Sequence, residues 1–447
     1  MEPSTHTPLS FFDRYAYAIK AFIIIVMTIM LLIPANMIQG IIWERRDRQQ
    51  EATKEVSSRW GEEQHITGPV LAIPYTLAGQ HNAGEFQSYV YLLPENLKIN
   101  GELLPEKLKR GIFDVAVYTA RLQLSGTFTK TALEKLDIPF SALKLNEAMV
   151  LVGISDLRGI DNQVQLMWNG KPYFFNPGIV NKDLFSSGIQ TPVAIDMTAA
   201  GGTAGSFTLD LGVKGSGHIR FSPIGQTTVA NIRSTWPDPS FDDAFPPKTR
   251  QVSDKGFVAT WQIQHLSRNY PQSWTGNKYD IQSADFGIRL FMPAQSYQQS
   301  MRAVKYALLI IGLTFFILYF IELSQRRTLH PLQYALVGLA LCIFYTLLIS
   351  ISEQLNFIMA YIISSVLTIG LIVLYIAAAY KNARIAISIG SVLVLLYGFI
   401  YVVISAEDQA LLMGSLGLFI ILALVMYFSS RIKWDKLGQK DVTPVNQ

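Results

Sequence analysis

The chain has 447 residues, 50% of them hydrophobic and 16% charged, with a formal net charge of +4. That is too apolar for an ordinary soluble protein. The stretch from 44 to 301 balances 25 Lys and Arg against 25 Asp and Glu. A neutral block lacks the basic footprint of nucleic-acid binding, so no nucleic-acid partner is expected.

Residues 1–20 form a cytoplasmic N-terminus in which Arg14 and Lys20 precede an apolar run. Residues 21–42 carry no charge and match the roughly 20 residues that cross a bilayer core as a helix. Asn36 and Met37 stand where a cleavage site wants small residues, so this first span reads as a retained signal anchor. Residues 43–66 read as a helical stalk. Charges of both signs lace it, Ala52, Val56 and Trp60 share one helical face, and Gly61 suits a stop. A disordered linker is the alternative.

From 67 to 302 the pattern is mostly period two. Phe207, Leu209, Leu211 and Val213 alternate with polar residues before the turn residues 214–217, a hairpin signature continued by HIRFSP. GFVATWQIQ and ADFGIRLFM alternate in the same way, and further strands are predicted at 69–77, 86–93, 112–128, 148–155 and 164–175. Only 129–147 looks helical. Many short strands between turn signals predict an antiparallel β-sandwich-like domain. A Gly-rich stretch near 176–204 leaves one or two β-subdomains open.

Five more apolar runs follow, at about 303–321, 331–351, 355–379, 385–404 and 409–429, before a tail at 430–447. The fold class is therefore an α+β membrane protein, with six transmembrane helices and the β-domain inserted between the first and second. Arg326, Arg327, Lys381, Arg384, Arg431, Lys433, Lys436 and Lys440 fall on one side of the last five spans. The loops 352–356 and 405–409 on the other side carry no Lys or Arg. The positive-inside rule then places both termini in the cytoplasm and residues of about 43–302 on the outer side of the membrane. The basic residues Arg45, Arg46, Arg48, Lys54 and Arg59 conflict with this, and the conflict is resolved against them because long domains translocate largely regardless of charge.

A search for chemistry finds little. His65, His81, His218 and His265 have no metal-ligand spacing, and satisfied or surface histidines are the expected reading. No metal or cofactor is expected. Ser141 and Lys144 form S-x-x-K, and Ser267 and Asn269 form S-x-N, but the nearest K-T-G equivalent, at 248–250, is out of order. Ser141 reads better as a helix cap after Pro139. Asp238, Asp242 and Asp243 lack the order of a calcium loop and read as a solvated acidic turn. The carboxylates of the membrane part, Glu322, Glu353, Glu407 and Asp408, sit at span ends, not at the midplane where transporters carry theirs.

The segments 45–75 (RRDRQQEATKEVSSRWGEEQHITGPVLAIPY), 215–241 (GSGHIRFSPIGQTTVANIRSTWPDPSF) and 319–353 (YFIELSQRRTLHPLQYALVGLALCIFYTLLISISE) carry a resemblance. In them the chain resembles the CreD-type inner membrane proteins of Gram-negative bacteria, over nearly its whole length. Asp242 departs from the glycine expected after the P-S-F turn, which bears on local turn geometry only. The resemblance implies a role in cell-envelope integrity and in the response to envelope stress and β-lactams. It brings no catalytic residues. Candidate interaction or structural positions in these blocks are Arg45, Arg46, Arg48, Trp60, Gly61, Gly68, Pro69, Trp236, Pro239, Phe241, Glu322, His330, Pro331 and Glu353. Of these, Trp236, Pro239 and Phe241 are expected to pin a loop, Gly68 and Pro69 to start a strand, and His330 and Pro331 to open a span.

The expected function is a non-enzymatic envelope protein of the bacterial inner membrane. Its partners would be the lipid bilayer and an envelope component, whether protein, peptidoglycan-related or lipid, bound through the β-domain. The alternatives are a transporter or channel with the β-domain as receptor, favoured by polar groups facing one another in the bundle, and a periplasmic hydrolase, revived by a convergent Ser/Lys or His/Asp cluster in a cleft.

Overall fold

The computed structural model describes residues 11–76, 88–134, 138–180, 182–195, 203–292, 295–325, 329–406 and 409–430. His81, the first residues of the Gly-rich stretch at 199–206, Arg326, Arg327, Glu407, Asp408 and the basic tail lie outside them. The chain divides into two compact units, residues 1–48 with 293–447, and residues 49–292.

The first unit is helical. Helix α1 (Phe11–Trp60) is continuous, and its last turns belong to the second unit. After the short α2 (Thr131–Glu134) of the β unit come α3 (Gln295–Lys305), α4 (Ala307–Gln325), α5 (Pro331–Ser352), α6 (Phe357–Tyr380), α7 (Ala383–Ser405) and α8 (Ala410–Ser430). Among the described residues, α1, α5, α6 and α7 are each long and apolar enough to cross a membrane. A fifth span results if α3 and α4 act together across the 43° bend between them. Acting together, the two would extend the predicted second span back from 303 into the polar α3. The described apolar part of α8, Leu412–Ala423, is shorter than a span.

The bundle core follows from the apolar faces of these helices. Phe344 on α5 sits among three tyrosine rings, with centroids at 5.0 Å from Tyr345, 5.6 Å from Tyr361 and 4.9 Å from Tyr397. All three contacts are edge-on, the geometry the ring quadrupole favours. Large apolar residues such as Phe22, Leu374 and Leu395 stay exposed on the helices, the surface that lipid covers in a bilayer.

The second unit is built from strands β1 (Gln64–Tyr75), β2 (Ser88–Leu92), β3 (Asn96–Arg110), β4 (Phe113–Thr129), β5 (Met149–Ile154), β6 (Gln165–Trp168), β7 (Lys171–Phe174), β8 (Asn176–Pro177), β9 (Gly188–Pro192), β10 (Thr203–Ser216), β11 (His218–Phe221), β12 (Thr227–Ser234), β13 (Pro239–Ser240), β14 (Thr249–Ser253), β15 (Gly256–Gln264), β16 (Ser273–Thr275) and β17 (Phe286–Leu290). They form two sheets. One runs β13-β17-β11-β1-β5-β9-β8, with β2 and β16 branching from β1; the other runs β14-β15-β12-β3-β4-β10-β6-β7. One buried cluster draws on both sheets and holds Tyr91, Tyr118, Phe128, Trp168, Phe221, Trp261 and Phe286.

Five expectations need correction. The sheets are mixed, because β1 pairs β11 in parallel and β12 pairs β3 in parallel; neither pair could be joined by a tight turn. Among its described residues, which exclude 135–137, the region 129–147 holds the short α2 and two 3₁₀ turns, Phe140–Ala142 and Leu145–Glu147, in place of the expected helix. Ser141 lies inside the first of these turns and caps nothing, and Lys144 pairs with Glu147 at 3.7 Å. The stalk helix ends at Trp60, with Gly61 after it as expected, but β1 starts at Gln64, so Gly68 and Pro69 lie within the strand, joined by a cis peptide, and do not start it.

The fifth correction concerns the hairpin expected around 214–217. β10 pairs with β4 and β6, whereas β11 belongs to the other sheet. Gly217, at φ 67°, turns the chain from one sheet to the other. Its N–H donates to the Ala116 carbonyl of β4 at 3.1 Å, and its carbonyl accepts from the Leu290 N–H of β17 at 2.7 Å. A positive φ costs glycine little, which is why it can stand at this corner. Alternation and turn residues look alike for a hairpin and for a change of sheet, so the sequence could not separate them.

Candidate functional site

Three arrangements of charged and polar side chains stand out. The first two lie on the face of β1, β11 and β17 opposite the buried cluster. Side chains alternate along a strand, so burying Ile66, Ile219 and Phe221 on one face turns His65, Thr67, His218, Arg220 and Ser222 to the other.

His65 Nε2 lies 2.9 Å from Ser222 Oγ and 2.9 Å from Asp285 Oδ2. Ser222 donates to Asp285 Oδ1 at 2.9 Å and contacts Thr67 Oγ1 at 2.9 Å. These are the residue types of an acyl-transfer triad, but the geometry differs. A triad places the serine and the carboxylate on opposite ring nitrogens. Here both meet Nε2, and Ser222 is 1% exposed. The serine proton is directed at the carboxylate, and the oxygen is closed to a substrate. The arrangement is a satisfied buried network.

Beside it, His218 Nε2 lies 2.9 Å from Asp243 Oδ2, and Arg220 Nε lies 3.3 Å from Asp243 Oδ1. Arg289 pairs with Asp242 at 3.0 Å, and Glu63 lies 3.4 Å from Arg220. Gly287 makes this approach possible, since a Cβ there would stand 2.8 Å from Asp243 Oδ2 and 2.2 Å from the Ile219 carbonyl. Burial alone would raise the Asp243 carboxyl. The hydrogen bond from His218 and the charges of His218, Arg220 and Arg289 outweigh it and hold the group below its ordinary value. Asp243 is therefore not part of a solvated turn, as the sequence suggested. His218, Asp242 and Asp243 come close enough to share a cation. Both carboxylates already face guanidinium groups, so the donor set does not fit a metal.

The third arrangement brackets the apolar stretch of α1. At one end Lys20 ion-pairs with Glu322 and donates to the Leu329 carbonyl, while Tyr334 donates to Glu322 Oε2 at 2.9 Å. Glu322 is 2% exposed. At the other end Arg45 Nε lies 3.3 Å from Glu353 Oε1, which also accepts from Tyr297 at 3.4 Å. Buried carboxylates are tolerated where a cation and a hydroxyl offset their desolvation.

Of the positions singled out in the sequence, Arg45 and Glu353 meet from distant segments. Arg46 lies over the Trp43 ring at 5.4 Å, and Arg48 pairs with Glu44 at 2.7 Å along the helix. Trp60 donates to the Tyr118 carbonyl at 3.3 Å, and Gly61 follows it at φ 146°. Trp236 donates to the Asp238 carbonyl at 3.1 Å and the Phe291 carbonyl at 3.2 Å; Pro239 pairs with Leu290 across β13 and β17. Phe241 meets Phe257 and Trp261, each at 5.7 Å. His330 caps α5, with Gln333 completing a reciprocal capping box and Pro331 as the first helical residue. Sequence reasoning named Lys20 only as a charge ahead of the first apolar run, and missed Thr67, Arg220, Ser222, Asp285 and Arg289. Ser222 and Asp285 belong to segments that looked like ordinary strand ends, and no local signal joins them.

The model of the family described as "Inner membrane protein CreD" matches residues 16–435. The chain belongs to the CreD family. This CreD-family chain is also 30% identical over 414 residues to the Inner membrane protein CreD of Escherichia coli (strain K12), an alignment that covers 91% of each. Such coverage takes in the first span, the whole β unit and the later helices together. CreD membership accords with the membrane-spanning lengths of α1, α5, α6 and α7, and the chain is a CreD-family membrane protein with a large sheet-rich unit.

Proposed function

We propose that this chain supports cell-envelope integrity, including under envelope stress and β-lactam challenge, by binding an envelope component through its β unit. In this reading it has six spans, cytoplasmic termini and a periplasmic domain over residues 43–302. It acts as a binding and anchoring protein with no covalent chemistry of its own. The observation that carries this is the closure of Ser222: Ser222, His65 and Asp285 are spent on hydrogen bonds to one another, while polar side chains such as Asn100, Gln123, Asp210 and Asn231 are exposed on the β unit. The ends of α1 fit the topology, with a cation paired to a carboxylate at either side of an uncharged stretch. The test is photo-crosslinking in cells from exposed positions of the β unit, with mass spectrometry of the products. One dominant envelope component is expected. Capture of nothing, together with solute flux through reconstituted vesicles, overturns the reading.

A transporter or channel is the second reading. The hydroxyls of Tyr345, Tyr397, Ser364 and Ser365 are buried in the bundle with no hydrogen-bond partner among the described residues. Hydroxyls left unpaired in an apolar interior are costly, and a polar solute or water chain passing between α5, α6 and α7 would satisfy them. Flux through vesicles that falls when Tyr397 becomes Phe would establish this reading.

A further inference from the structure

The solvent face of the sheet that contains β3 and β4 carries an unusual row. The registers place Thr260 beside Asn231, Asn231 beside Asn100, Asn100 beside Gln123, Gln123 beside Asp210 and Asp210 beside Gln165. The row crosses six neighbouring strands, a distance of roughly 24 Å at the usual strand spacing. Its members are linked in part: Thr260 donates to Asn231 at 3.0 Å, Asn231 to Asn100 at 3.3 Å, and Gln123 to Asp210 at 3.1 Å. The Asn100 Nδ2 and Gln123 Oε1 have no partner among the described residues. They face a groove of about 600 Å³. Asn162 and Gln163 form one wall, on a loop that Asp161 holds in place through the Gly212 carbonyl at 3.1 Å and Lys214 at 2.6 Å.

The chemistry of this groove narrows its ligand. β3, β4 and β12 are interior strands paired on both sides, so no backbone edge is open to an added peptide strand. Val258 is the exposed large apolar residue among those that line it, which does not suit a lipid chain. The charges nearly cancel, since Arg233 pairs with Glu102 at 3.1 Å and Asp210 stands in the row. Arg121 and Asp210 have no ion-pair partner among the described residues, and Asp210 accepts from Gln123, which leaves Arg121 as the cation open to a ligand. Side-chain amides offer a donor and an acceptor together, the complement of neighbouring sugar hydroxyls, and the strand spacing is close to the length of one sugar in an extended β-linked chain. Phe174, opposite Gln165 and 53% exposed, ends the row with an open aromatic ring.

We propose that this groove binds a linear, carboxylate-bearing glycan, its hydroxyls read by Asn100, Gln123 and Asn231 and its carboxylate by Arg121. The proposal rests on the reading that the β unit binds an envelope component, and it names the site and the ligand class. The probe is a fluorescent, peptide-free strand of alternating N-acetylglucosamine and N-acetylmuramic acid, titrated onto the full chain in nanodiscs. The same strand with its carboxylates amidated serves as the neutral form.

The intact chain is expected to bind the carboxylated strand. Joint Asn100→Ala and Asn231→Ala substitution weakens that binding at least tenfold. Arg121→Gln lowers affinity for the carboxylated strand to that for the neutral one, and Lys278→Ala, outside the groove, changes nothing. Each variant is required to keep its unfolding midpoint; should the alanine pair shift it, Gln163→Trp blocks the groove from the loop instead. No binding by the intact chain, or equal binding by the groove variants, overturns the proposal. Crosslinking in cells separates the two ideas. An envelope component captured elsewhere on the β unit but not from position 163 sinks the groove alone, and capture from no position sinks the binding role as well.

Discussion

Arg45 and Glu353, from segments far apart in the chain, meet at 3.3 Å, and Lys20 meets Glu322 at the opposite end of an uncharged stretch of the same helix. Residues 21–43 carry no charge between them. At the helical rise they extend roughly 34 Å, a little more than the hydrocarbon core of about 30 Å. The two pairs therefore fix α1 against the other helices of the bundle at both ends of its apolar stretch.

The pair at Glu353 is partly open to solvent, with Arg45 39% exposed, so its contribution is modest. Glu353→Arg alone is expected to lower the unfolding midpoint in detergent by a few degrees, from a loss of about 1 kcal/mol and added like-charge repulsion. Combining it with Arg45→Glu restores most of the loss. A double variant no better than the single one would show that the two residues do not act as a pair.

Glu322 is the costlier position. Glu322→Ala leaves Lys20 without its counter-charge in a buried place and is expected to cost about 3–5 kcal/mol, the usual penalty for breaking a buried pair. Tyr334→Phe removes one hydrogen bond to a charged group and costs about 1.5–3 kcal/mol. Denaturant unfolding in mixed micelles measures both, and equal stability of the alanine variant would contradict the pairing.

Acid acts on the β unit through Asp243 and Asp156. For Asp156 as well, burial would raise the carboxyl, but the hydrogen bonds from the Arg158 side chain and from the Glu62 and Arg158 backbone, with the Arg158 charge, hold it below its ordinary value. A carboxyl lowered in the folded state contributes stability above its unfolded value, near 3.8, and loses it as the pH falls through the folded value. Tryptophan fluorescence of the full chain is expected to show unfolding beginning below about pH 4. Asp243→Asn is less stable at neutral pH and shows a shallower acid limb. An unchanged limb would remove Asp243 from the account.

The closed network at Ser222 predicts chemical silence. A fluorescent penicillin and a fluorophosphonate are expected to leave the purified protein unlabelled, with Ser222→Ala indistinguishable from the parent in this assay. Labelling of the parent that disappears in Ser222→Ala would make this face catalytic.

How much of this was legible in advance differs by element. Helices α1, α5, α6 and α7 could be read directly, because an apolar run of bilayer length needs no partner to declare itself. The strands β4 and β15 could be placed by alternation, and β5 by its short apolar run. β3 was missed: its second half, residues 103–110, mixes apolar and charged residues without strict alternation. His330 and Pro331 were expected to open a span, and the structure has α5 begin there, with a capping box that the sequence reading did not name.

The sequence by itself determined which stretches suit lipid and which suit a pleated sheet, since both depend on composition and period over a dozen or so neighbours. It also placed charges at the ends of the apolar runs. Only the tertiary structure decided that β11 leaves its apparent hairpin for the other sheet, that His65 meets Ser222 and Asp285, that Lys20 finds Glu322, and that Asn231, Asn100 and Gln123 fall in one row. The physical reason is common to all four. Strand partners and ion pairs are chosen by contacts between residues dozens to hundreds of positions apart, and local periodicity carries no record of which distant segment completes them.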